Sequence, residues 1–146
     1  QVGPEAGYSA LVGLTLHAFF DGVAIASGFL VSWGLGIGFF LGVMLHKLPE
    51  GVTVSSIMLA SGQGRRRAVA SGVILGVATV IGALVTEAVA SLAQYGLALA
   101  AGVTLYVAAS NLVPEIQRGR LARTTLAFLG GAAALILLRG LAGSGA

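Results

Sequence analysis

Six ionisable residues lie inside long apolar stretches of this 146-residue chain: His17, Asp21, His46, Lys47, Glu50 and Glu87. Such groups are costly in hydrocarbon, and where they occur they face a bundle interior or a water-filled path. Four of them form two pairs with one spacing. His17 and Asp21 are four residues apart, as are His46 and Glu50, and that separation puts two side chains on one face of an α-helix. Each pair sets an imidazole beside a carboxylate. Two imidazoles and two carboxylates brought together make a ligand set for Zn²⁺ or another first-row divalent ion. The rival reading is a pair of buried His–carboxylate hydrogen bonds that hold two helices in register.

Whether the pairs meet depends on the elements that carry them. A membrane-spanning helix needs about 20 apolar residues. Five stretches reach or approach that length: residues 9–31, 34–60, 68–92, 96–113 and 125–141. No period-2 alternation argues for strands, so the expected fold is all-α, a polytopic membrane bundle of five helices. At about 1.5 Å per residue, His17 lies roughly 12 Å and Asp21 roughly 18 Å above the start of the first helix. The second helix runs the other way, which sets Glu50 roughly 9–15 Å and His46 roughly 15–21 Å from the same side. His17 is then level with Glu50, and Asp21 with His46. Antiparallel neighbours joined by the short "SWGLG" turn would close the four into a box.

Composition agrees with a membrane protein. Hydrophobic residues make up 57% of the chain and charged ones 9%, against about 25% charged in a soluble domain. The formal net charge of +3 does not argue for nucleic acid, because the basic residues sit between apolar runs. The loops at 64–67 and 117–123 hold six arginines, whereas "SWGLG" and "AQYG" hold no charge. Positive loops stay inside, so both arginine loops are expected in the cytoplasm and the C-terminus outside. The lack of cysteine excludes a disulfide scaffold and a thiolate metal site. The chain begins at Gln1 with no secretory leader pattern, and is read as a fragment. Gly34, Gly38, Gly42, Gly72 and Gly76 recur at helical spacing and are expected to pack helices closely.

Within "MLHKLPEGV", Lys47 lies too deep for its ammonium to reach either surface, so it needs an acidic partner, with Asp21 and Glu50 nearest in depth. Pro49 cannot donate to the Leu45 carbonyl, which leaves that oxygen free for water or a cation. Glu87 in the third helix, and Ser110, Asn111 and Glu115 near the cytoplasmic end of the fourth, are candidates for a cation path, with structural roles as the alternative.

The stretches "LHAFFDGVAIASGF", "MLHKLPEGVTVSSIML" and "GVTLYVAASNLVPE" resemble the fourth, fifth and seventh transmembrane helices of the ZIP (zinc/iron permease) metal-ion transporters, and the similarity spans essentially the whole chain. The resemblance implies that the five helices are the last five of eight, with three N-terminal helices of the same protein as partners. It implies uptake of Zn²⁺, or of Fe²⁺, Mn²⁺ or Cd²⁺, as transported substrate rather than cofactor, through a midplane site with alternating access. The family's transport ligands match His17, Asp21, His46 and Glu50. Many members hold a second metal, through a polar residue after the first His, an acid after the second and an acid on the sixth helix. Here those places hold Ala18, Lys47 and Thr79, which argues against a binuclear centre. Lys47 is read as a surrogate for the second ion: its charge balances the carboxylates when the site is empty and repels a second cation when it is full. Expected partners are divalent ions, membrane lipid and, left open, a second copy in a homodimer. No enzymatic activity is expected. The alternative is an intramembrane zinc-dependent hydrolase, but no His-Glu-x-x-His is present and the four candidate ligands leave no spare base. A non-catalytic membrane scaffold would leave the buried charges unexplained.

Overall fold

A computed structural model describes residues 4–107 together with Leu126, Leu129, Gly130, Gly131, Ala133 and Ile136. Among the described residues the chain forms four helices: α1 (Pro4–Val31), α2 (Trp33–Ala60), α3 (Arg65–Ala88) and α4 (Ala90–Val107). The fold is all-α. Gly7–Val31, Trp33–Ala60 and Arg65–Ala88 are each long and apolar enough to cross a membrane. The chain divides into two units, Gln1–Thr104 and Leu105–Ala146, and α1, α2 and α3 lie wholly in the first. In the second, Leu105, Tyr106, Leu126, Leu129 and Ile136 are exposed.

Local chemistry sets the helix ends. α1 begins ahead of its apolar run, with Pro4 at its first position and Glu5 in its first turn, both favourable at a helix N-terminus. Ser32 is the whole of the α1–α2 connection. It is extended, and its Oγ accepts from the Leu35 amide at 3.2 Å, capping α2. α2 closes in a Schellman turn, in which the Gln63 amide donates to Met58 and the Gly62 amide to Leu59. Gly62 holds φ at +78°, which that turn requires and glycine adopts without a Cβ penalty. The three arginines 65–67 open α3. α3 ends at Ala88 and α4 starts at Ala90, earlier than the uncharged "AQYG" would suggest. Gly96 of that stretch lies inside α4 and packs on Ser27 and Val23 of α1. It serves close contact rather than a turn.

α1 is the central helix, packed against both α2 and α3. The buried cluster is Ala18, Val54, Leu75 and Ala78, with Leu11, Leu14 and Phe19 against it. These are mostly small side chains, so backbones come close. A Cβ on Gly22 would overlap the Thr79 carbonyl oxygen, and one on Gly82 would overlap that of Phe19. The regular glycine series does not mark these contacts. Among the described residues, Gly34, Gly38, Gly42 and Gly76 have open space where a Cβ would be, and Gly72 meets only Ser55 Oγ at 3.9 Å. Helical spacing shows that residues share a face; it does not show which face meets a neighbour.

Candidate metal centre

α1 and α2 form an antiparallel hairpin. Gly28 packs against Gly36 and Phe39 near the turn, and Gly7 against Ser61 and Met58 at the far end. Between these contacts Asp21 meets α2. Its Oδ2 lies 3.2 Å from His46 Nε2 and 2.9 Å from Lys47 Nζ. Its Oδ1 lies 3.7 Å from His17 Nε2, one turn earlier on α1. The two imidazole centroids are 5.9 Å apart. His17, Asp21 and His46 each offer a ligand atom, and these atoms all lie within 4.8 Å of one another. Donor atoms around a tetrahedral Zn²⁺ sit about 3.4 Å apart, given bonds near 2.0–2.1 Å, so small side-chain movements would close the set on an ion.

Burial grades across the cluster. The Asp21 and Glu50 side chains are each 7% exposed, that of His17 13% and that of His46 44%. One candidate ligand thus faces outward while the carboxylates are enclosed. His46 is oriented from behind: its Nδ1 lies 2.9 Å from the Gly42 carbonyl, which can only accept, so Nδ1–H donates. A neutral ring then turns its Nε2 lone pair toward the Asp21 oxygen, and two acceptors face each other unless a proton or cation lies between them. Such second contacts hold metal-ligating histidines in place. Gly42 belongs to the series expected to pack helices; its carbonyl orients a histidine instead. His17 Nδ1 is buried with no hydrogen-bond partner among the described residues.

Lys47 joins the remaining acid to the cluster. Its Nζ lies 2.8 Å from Glu50 Oε2 as well as 2.9 Å from Asp21 Oδ2. Both Glu50 oxygens are buried and, among the described residues, accept no well-directed hydrogen bond, so proximity of charge makes that pair. Glu50 stands outside the three-residue group and is tied to it through the ammonium. α2 runs helically through Pro49, whose carbonyl accepts from Thr53 Oγ1 at 2.8 Å. Glu87 is exposed, in the last turn of α3. Ser110, Asn111, Glu115 and the loop 117–123 lie outside the described residues.

The profile of the ZIP Zinc transporter family matches residues 3–139. The chain belongs to that family. Among curated ZIP proteins it is 32% identical to the zinc transporter SLC39A7 of Mus musculus over 151 aligned residues, which cover 90% of this chain and 31% of the relative. It is 32% identical to the zinc transporter foi of Drosophila melanogaster, over 73% of this chain and 16% of that protein. It is 30% identical to the zinc transporter ZIP4 of Homo sapiens, over 84% of this chain and 19% of that protein. The chain thus spans less than a third of the length of these relatives. No solved structure matches it. Ala18, Thr79 and Lys47, the three positions expected to offer no second-metal ligand, each have close neighbours in the bundle. Ala18 is fully buried in the α1–α3 core. Thr79 Oγ1 donates to the Leu75 carbonyl at 3.1 Å. Lys47 lies between two carboxylates.

Proposed function

We propose that this ZIP chain carries the cargo site of a divalent-cation transporter, with Zn²⁺ as the main substrate and Fe²⁺, Mn²⁺ or Cd²⁺ accepted by the same donors. The observation that carries the reading is the convergence of His17, Asp21 and His46, from two helices, with ligand atoms within 4.8 Å of one another. Glu50, buried and otherwise unpaired except by Lys47, is the fourth ligand. The site is mononuclear. Lys47 fills the place of a second ion, consistent with its contacts to Asp21 and Glu50, and Ala18 and Thr79 add no ligand there.

The cation moves toward the cytoplasm by alternating access around this site. The exposed arginines 65–67 at the start of α3 lie on the cytoplasmic side by the positive-inside rule, as does the loop 117–123, and the C-terminus lies outside. Membrane lipid meets the apolar side chains on the outer surface of α2, such as Leu45 and Leu48. The test is zinc uptake by the full-length protein in liposomes. His46→Ala should abolish saturable uptake and leave membrane insertion intact. Unchanged uptake by that variant would refute the assignment.

A further inference from the structure

Lys47 is the one lysine in the sequence, and its position has a consequence beyond charge balance. The ammonium does not stand beside the candidate site but in it. It lies 2.9 Å from Asp21 Oδ2, the same oxygen that is 3.2 Å from His46 Nε2. Its second contact is Glu50 Oε2 at 2.8 Å. An ion bonded to Asp21 Oδ2 and His46 would sit about 2.0–2.2 Å from each donor atom. With the lysine unmoved, that would set a divalent cation and an ammonium a few ångströms apart in a partly buried pocket, where like charges repel strongly. The two cations therefore exclude each other from Asp21.

The lysine keeps a partner when it leaves Asp21, because Glu50 Oε2 lies 2.8 Å from the same Nζ and Glu50 has a second oxygen to offer an ion. We infer, on the basis that this is the cargo site, that Lys47 is a tethered competitor for the metal: its ammonium bridges Asp21 and Glu50 in the empty site, withdraws from Asp21 when the ion binds, and by returning speeds the ion's release. A carrier needs binding weak enough to let its cargo leave, and four good donors alone bind first-row ions tightly. Lys47 raises the dissociation constant and, with it, turnover.

The test uses the full-length protein in nanodiscs and in liposomes, with Zn²⁺ as the probe. Lys47→Met removes the charge and keeps the length; Lys47→Arg keeps the charge. The methionine variant should bind Zn²⁺ at least about tenfold more tightly, a difference of about 1.4 kcal/mol, with lower KM and lower maximal uptake. The arginine variant, which keeps a competing charge, should bind Zn²⁺ more weakly than the methionine variant. A second readout needs no variant: acylation of Lys47 by an amine reagent, followed by peptide mass spectrometry, should rise when Zn²⁺ is added, because the ammonium leaves Asp21. Zinc binding by Lys47→Met equal to or weaker than the parent's, or acylation that is unchanged or falls with Zn²⁺, overturns the proposal. If the methionine variant does not fold, the acylation result alone decides it. Failure of the parent protein itself to bind Zn²⁺ would overturn the cargo reading, and this inference with it.

Discussion

Gly22 couples the packing of α1 to its chemistry, and Gly22→Ala measures that coupling. A Cβ built there overlaps the Thr79 carbonyl oxygen and lies 2.8 Å from the Ala83 amide nitrogen and 2.9 Å from the Thr79 carbonyl carbon. All three obstacles are backbone, so no rotamer change relieves them, and α1 and α3 must part. Ordinary carbon–oxygen approaches begin near 3.3 Å, and even the two lesser contacts fall about 0.5 Å short of comfortable separation. Overpacking of this kind costs about 1–3 kcal/mol, and two rigid helix backbones put the site toward the upper end. The better helix propensity of alanine returns up to about 1 kcal/mol, leaving a net loss of about 1–2 kcal/mol. Asp21 is the adjacent residue, so the same displacement disturbs contacts of 2.9 and 3.2 Å to Lys47 and His46. The expected outcome is a lower midpoint of thermal unfolding in detergent and weaker Zn²⁺ binding. Gly38→Ala is the control: among the described residues nothing lies within 4 Å of its Cβ, so it should match or exceed the parent in stability and bind Zn²⁺ normally. If Gly22→Ala were as stable as the parent, or if Gly38→Ala lost as much, the close α1–α3 contact would not hold the site.

Two further perturbations address the turn and the charge. Ser32→Ala removes the hydroxyl that caps α2 and should cost about 1 kcal/mol, read as a lower unfolding midpoint, while the parent's zinc stoichiometry is kept. Lys47→Asp replaces the ammonium between two carboxylates with a third acid; metal stoichiometry should rise from one toward two, and the empty protein should lose stability through clustered negative charge. A Lys47→Asp protein that binds one ion, with the parent's affinity and stability, would dismiss Lys47 as the occupant of the second place.

The all-α fold was legible because apolar runs near 20 residues have few other solutions. The hairpin was legible too, since the short connection around Ser32 leaves little choice but antiparallel neighbours. Rise per residue then brought Asp21 level with His46, and their atoms lie 3.2 Å apart. Other features were hidden for physical reasons. Depth along a helix says nothing of azimuth, so it could not separate Glu50, reached through Lys47, from the three residues that converge. Nor could it say which glycines are pressed against a neighbouring helix: Gly22, Gly82 and Gly96 are, and none belongs to the regular series around Gly38. Glu87 looked deep because the third apolar run continues to residue 92, but the helix ends at Ala88 and leaves the acid in its last turn.

The surface of α1 that faces α3 leaves little space for a further donor. Adjacent residues on a helix are turned about 100° apart, so His17 and Asp21 reach toward α2 while Ala18 and Gly22, each one residue on, reach toward α3. On that second face there is no room. Ala18 is fully buried in a cluster with Leu75 and Ala78 of α3 and Val54 of α2, and Gly22 lies on the Thr79 backbone. A ligand-bearing side chain at position 18 would push α1 from α3, with the same kind of penalty as a Cβ at Gly22. Close α1–α3 contact leaves little room for a donor at position 18, and among the described residues it is α2 that sets a cation beside Asp21 and Glu50. That cation is Lys47, one residue after His46 and three before Glu50. Its stem extends to Asp21 without asking α1 and α3 to separate.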